Sequence, residues 1–113
     1  MAGKFVISKT SNGKFHFVLK AGNGEVILQS QMYAALDDAK NGVESVRSNA
    51  ADATRFQKAM SKKNEPYFSL TATNGQVVGM SEMYSSEAAR DNGIESVRKN
   101  APDAKVEDKS AET

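Results

Sequence analysis

The sequence predicts an α+β fold made of two tandem βββαβ repeats that share one core. Three observations lead to it. Phe15 to Gln57 realigns on Pro66 to Asp108 at a constant offset of 51, with about 19 of roughly 43 positions identical, so the chain carries an internal duplication. Each copy opens with apolar alternation of period two interrupted by Asn-Gly, the pattern of a strand meander. Each continues with apolar residues stepping by three and four, the pattern of a helix lying on a sheet. At 113 residues the chain has the size of one small domain, able to bury about 65% of its unfolded surface, whereas a lone repeat of about 50 residues would be marginal. We therefore read 1–113 as a single domain of two intertwined repeats, 3–60 and 55–108.

The elements follow in order. Phe5 and Ile7 alternate with Val6 and Ser8, and Asn12-Gly13 then supplies a hairpin turn, since both residues tolerate the positive φ angles that tight hairpins need. Phe15, Phe17 and Leu19 alternate with His16, Val18 and Lys20, and Asn23-Gly24 turns the chain into a third strand at Glu25 to Gln29. The second copy repeats this with Tyr67 to Ala72, Asn74-Gly75 and Gln76 to Met80. Carried backwards, the offset sets Lys4-Phe5 on Arg55-Phe56, which makes Arg55 to Met60 the first strand of copy two. That segment also directly follows the helix of copy one, so one strand is expected to serve both copies. A corresponding last strand is expected around Ala104 to Glu107, and 109–113, polar and without any large apolar residue, reads as a disordered tail. Lys58 falls where Ile7 sits in copy one and breaks the alternation there.

In the first helical segment Leu36, Ala39, Val43, Val46 and Ala50 form one apolar stripe. Copy two keeps Ile94, Val97 and Ala101 but has Glu87 and Arg90 at the earlier positions, so its first turns are expected to be exposed or rotated towards Ala88 and Ala89. Ser85 or Ser86 is the expected N-cap there, and Asn49 and Asn100 fit the helix ends. Gly42 and Gly93 sit mid-helix at about 1 kcal/mol each relative to alanine. They mark either a close approach of the helix backbone or a real break. The stripe of copy one keeps its phase across Gly42, which favours a continuous helix.

Composition excludes several functions. The net charge of +1 offers no general attraction for nucleic acid or an anionic membrane, and with no cysteine there is no disulfide, thiolate metal site or cysteine nucleophile. No leader or membrane span is read, and a cytoplasmic, soluble protein is the expectation. Glu44 with Arg47, and Glu95 with Arg98, are three apart on a helix and read first as solvated ion pairs. Met32-Tyr33 and Met83-Tyr84 read as staples over the core edge at the two helix entrances, with the tyrosine hydroxyls as a secondary ligand possibility. His16 is the sole histidine, its counterpart is Tyr67, and both read as half-exposed sheet residues.

These blocks, Asn23-Gly24 with Met32-Tyr33 and Asn41-Gly-Val-Glu-Ser-Val-Arg47, repeated as Asn74-Gly75 with Met83-Tyr84 and Asn92-Gly-Ile-Glu-Ser-Val-Arg98, resemble the YegP-like family of small bacterial proteins, a domain of unknown function often found as a tandem pair. The resemblance covers the chain from about Gly3 to Asp108. It implies that the two βββαβ units join into one antiparallel sheet with both helices on one face and terminal strands exchanged, a dimer fused into one monomeric chain. It brings no activity, cofactor or catalytic residue. The signature residues Asn23, Gly24, Tyr33, Gly42, Glu44, Arg47, Asn74, Gly75, Tyr84, Gly93, Glu95 and Arg98 are read as turn and helix packing. Gly79 in place of Leu28 makes the internal symmetry imperfect.

The expected function is a non-enzymatic binding or interaction module that uses the sheet face left open by the helices, with His16, Lys20, Tyr67 and Thr71 as the candidate contact residues. A protein or peptide is the expected partner. The alternative is a nucleic-acid-associated or small-ligand-binding protein, which the charge and the scarcity of exposed rings disfavour. An enzyme is least favoured. Asp37 and Asp38 diverge by about 100° on a helix, and the sequence offers one histidine, no cysteine and no phosphate-cradling glycine loop. No cofactor or metal is expected.

Overall fold

The structure is a computed structural model and describes residues 3–110. Strands β1 (Lys4–Lys9), β2 (Phe15–Lys20) and β3 (Val26–Gln29) precede helix α1 (Leu36–Asn49). After a 3-10 turn at Ala53–Arg55 come β4 (Phe56–Met60), β5 (Pro66–Thr71) and β6 (Val77–Met80), then helix α2 (Glu87–Asn100) and strand β7 (Lys105–Asp108). Arg55 thus belongs to the turn and not to β4. The Asp52 side chain accepts the Thr54 N–H at 2.9 Å and starts that turn.

One seven-stranded sheet runs in the order β4-β5-β6-β3-β2-β1-β7. The four hairpins use one device. In each, an i to i+3 turn ends on a residue in the left-handed region, Gly13, Gly24, Asn64 or Gly75, with φ of +62 to +88°, whose N–H donates to the carbonyl three residues before it. Asn12, Asn23 and Asn74 are not in that region, so the turns are longer than the two-residue Asn-Gly hairpins expected. Asn23 and Asn74 instead accept the N–H two residues on, at 3.0 Å. Asn64 takes the place of Gly13 in repeat two because its short polar side chain tolerates this backbone.

The halves meet at β3 and β6, joined through the single register pair Gln29↔Met80. These two residues are themselves 51 apart, so the pseudo-twofold axis passes between them. Leu28 and Gly79 flank the axis on the helix side, and a Cβ on Gly79 would stand 2.7 Å from the Leu28 side chain. Two leucines cannot both fill this place, which explains the break in symmetry seen in the sequence.

The helices tie the halves together, with α1 packing on β2 and on β6 and α2 on β5 and on β3. Phe5, Phe17, Leu19, Leu28, Phe68 and Leu70 meet Val43, Val46, Ile94 and Val97 in one core between sheet and helices. β7 crosses to the far half and pairs with β1, which is the strand exchange expected. That pair is parallel, the one departure from an antiparallel sheet among the described strands. β7 leaves α2 at the end of the sheet where β1 begins, so the two strands run side by side in the same direction. β4 follows α1 and opens repeat two, as expected of a shared strand, yet it pairs only with β5 and lies at the sheet edge.

Both helices are continuous through their glycines. A Cβ on Gly42 would meet the Tyr33 hydroxyl at 2.6 Å and Phe17 at 2.8 Å, and one on Gly93 would meet the Tyr84 ring at 2.7 Å. Close approach is therefore the reason for both. Ser86 caps α2 by accepting the Ala89 N–H at 3.0 Å, whereas Ala35 gives α1 no side-chain cap. Arg90 corrects the expectation for α2. It keeps the phase of Ala39 and is only 5% exposed, with its guanidinium facing Glu87 at 3.4 Å and Asp91 at 3.3 Å. The Lys109 N–H donates to Ile7 at 2.8 Å and Ser110 is buried, while 111–113 lie outside the described residues.

Candidate interaction surface

Strand pleating sends alternate side chains to opposite faces, so the register defines the uncovered face. One row crosses the whole sheet there as Glu107, Val6, Val18, Gln29, Met80, Ser69 and Gln57. Beside it run Ser8 with His16 on one half and Ala59 with Tyr67 on the other. On the opposite flank Lys105, Lys4 and Lys20 stand in register across three neighbouring strands, with Lys4 bonded to Glu107 at 2.9 Å. That carboxyl is held below its ordinary range, chiefly by the Lys4 hydrogen bond. The half contributed by β1 and β2 is apolar at its centre and basic at its rim. The half contributed by β4 and β5 is polar.

All four candidate contact residues lie on this face and are half-buried. They do not form one cluster. β2 and β5 are separated by β3 and β6, about 14 Å at ordinary strand spacing, so His16 and Lys20 are not beside Tyr67 and Thr71 as expected. His16 hydrogen-bonds the Ser8 hydroxyl at 2.9 Å, and Thr71 donates to the Arg55 carbonyl at 3.0 Å. The centre of the face belongs instead to residues not singled out by sequence. Met80 is 43% exposed and Val77 46% exposed, and with Gln29 and Gln31 they line a shallow cavity of about 450 Å³ beside the pseudo-twofold axis.

The repeated signature residues lie elsewhere and act on packing. Tyr33 stacks on Phe17 and Tyr84 on Phe68, each pair with centroids 6.3 Å apart and planes within 11°. Each tyrosine thus fills the gap between a core phenylalanine and a helix glycine. Burial, reinforced by Asp38 near Tyr33 and by Glu82 and Glu25 near Tyr84, pushes both hydroxyls above the ordinary phenol range. Met32 and Met83 are exposed, so the staple is formed by the tyrosines alone. Ser30 and Ser81, also identical in the two copies, accept the N–H of Phe17 and Phe68 at 2.8 and 2.9 Å. Their identity at the 51-residue offset was the available signal.

Glu44–Arg47 and Glu95–Arg98 are ion pairs of 2.7 and 2.8 Å. Arg47 does more than its pattern implied. Its guanidinium also donates to the Ala104 carbonyl where β7 enters the sheet, and it lies 5.6 Å from the Phe5 ring centre. Lys58 keeps the phase of Ile7 on the helix side and bonds Asp91 at 3.1 Å, which accommodates a charge in an apolar register at the sheet edge. Among the described residues no helix is long and apolar enough to cross a membrane.

Fold and surface together define a tandem-repeat α+β protein: two βββαβ units closed into one sheet, with helices on one face and the other face uncovered. The family described as Domain of unknown function (DUF1508) matches this chain twice, at residues 10–57 and 61–108, and the chain belongs to it. It is 51% identical to a UPF0339 protein of Shewanella oneidensis over 96% of this chain and 98% of that one. It is 44% identical to the UPF0339 protein YegP of Escherichia coli over 96% and 98%. The solution structure of a UPF0339 protein from Shewanella oneidensis superposes with a TM-score of 0.93 at 50% identity, covering 99% of this chain and 95% of that one. That of yegP from Escherichia coli, described as a protein of unknown function, superposes with 0.92 at 44% identity, covering 97% and 95%.

Proposed function

We propose that this chain is a non-enzymatic interaction module that receives a partner protein on the open face of its sheet. The observation that carries the reading is the exposed apolar centre, Met80 and Val77, on a face flanked by half-buried His16 and Tyr67. Methionine adapts to irregular apolar surfaces, which suits a contact made by shape. The lysine row at one rim selects a partner with an apolar centre and an acidic flank. Nucleic acid fits less well, because the two rings on this face, His16 and Tyr67, are too far apart to form a stacking platform.

Amide chemical-shift mapping of the whole chain against cell-extract fractions, nucleic acid and a metabolite set tests this. Shifts of His16, Lys20, Tyr67, Thr71 and Met80 with a protein fraction, lost in Met80→Lys, are expected. If no fraction moves these amides, the open-face reading fails.

A further inference from the structure

β1 and β4 occupy equivalent places in the two repeats, yet among the described residues only β1 is covered by a further strand. β7 runs along its outer edge from Lys4↔Lys105 to Ile7↔Asp108, and Lys109 bonds the Ile7 carbonyl. The segment that would cover β4 in the same way is 54–57, which corresponds to 105–108 and has been absorbed into the turn and β4 itself. The vacant place persists as a groove of about 290 Å³ between the outer side of β4 and α2, lined by Phe56 and Ile94 and by the charged side chains of Lys58, Asp91, Glu95 and Arg98. In repeat one the matching place holds Val106, in register with Phe5 and beside Val43.

The molecule therefore contains its own template for what this groove accepts. Beside β1, Glu107 pairs with Lys4, Asp108 aligns with Ile7, and Arg47 grips the Ala104 carbonyl. Lys40 also stands beside Val106 and faces Asp108. Beside β4, Arg55 and Arg98 take the places of Lys4 and Arg47, Asp91 that of Lys40 and Lys58 that of Ile7, so a strand of the β7 type would again meet three cations, one of them now on the strand itself. Arg55 and Lys58 are now held by Asp52 at 3.4 Å and Asp91 at 3.1 Å, surface pairs that exchange readily. Antiparallel pairing of two β4 edges about their midpoint would oppose Lys58 to Lys58, which disfavours a second copy as the occupant.

We propose that the outer edge of β4 is a peptide-docking edge, distinct from the open face. It takes an extended acidic segment of a partner protein in parallel register, with one branched apolar residue over Phe56 and Ile94 and carboxylates facing Arg55 and Lys58. Because Ile7 turns its carbonyl to β7, Lys58 turns its backbone outward, so Lys58→Pro removes an outer-edge donor and leaves the β4–β5 ladder intact.

The test is titration of the full chain, amide-labelled, with a synthetic peptide of the sequence of residues 103–110. Saturable shifts are expected at Phe56, Lys58, Met60 and Ile94. The same peptide with lysines for its two central carboxylates should bind at least about tenfold more weakly, since two charge pairs are reversed. Lys58→Pro should abolish the shifts, and Lys58→Glu, which leaves the backbone free, should weaken them by a similar factor. Absence of shifts on β4, shifts on β1 from displacement of β7, or shifts confined to Tyr67 and Met80 would each overturn the proposal. The last outcome would leave the open-face reading standing.

Discussion

Gly42 and Gly93 invert the usual rule for a glycine inside a helix. In an unpacked helix alanine gains about 1 kcal/mol. Here a Cβ would enter the Tyr33 hydroxyl and Phe17, or the Tyr84 ring. Overpacking of this kind costs about 1–3 kcal/mol, so Gly42→Ala and Gly93→Ala should destabilise the chain on balance. Denaturant titration checks this, and Tyr84→Phe should recover part of the loss in Gly93→Ala by removing the hydroxyl nearest the new methyl. A gain in stability for both alanine variants would show that the rings are free to move. The sequence marked the two glycines as needing a reason. It could not supply the reason, because Tyr33 reaches Gly42 only once the chain is folded, stacked on the ring of Phe17 from β2.

Among the elements, β4 and β7 owe their places most to the tertiary fold. Their positions along the chain were legible from the 51-residue offset, and Lys58 flagged an irregular register. Neighbours in a sheet are chosen by the whole topology, so local pattern could not set β7 parallel to β1 or leave β4 at an edge. Arg47 and Arg98 measure the difference between these edges. They share a sequence context, but Arg47 holds the Ala104 carbonyl and shields Phe5, while among the described residues no counterpart of β7 stands beside Arg98. Arg47→Ala should cost about 1.5–3 kcal/mol, the range of a hydrogen bond to a charged group, and speed amide exchange of Val106 to Asp108. Arg98→Ala, removing chiefly an exposed ion pair, should cost less than about 1 kcal/mol. Equal losses in the two variants would contradict the assigned role of Arg47.

At the scale of the molecule, the two repeats support one another through β7 on β1, α1 on β6 and α2 on β3. A chain ending near Ala53 keeps one hairpin meander and one helix. It loses the strand along β1, the partner of β3 and half of the surface against which α1 packs. Such a fragment should self-associate or aggregate, because two strand edges and an apolar helix face are left open. Sedimentation of the fragment decides this, and a stable folded monomer would refute the interdependence of the repeats.

By itself the sequence determined the duplication, the order of strands and helices, the faces they bury and the family, because periodicity and turn chemistry are local and are written twice. Tertiary structure alone decided which strands become neighbours. It put two strands between His16 and Tyr67, brought Met80 and Gln29 together on the pseudo-twofold axis, and left β4 with an uncovered edge among the described residues. The physical reason is that β pairing joins residues far apart in the chain, and a single register choice at the seam fixes every juxtaposition on the open face.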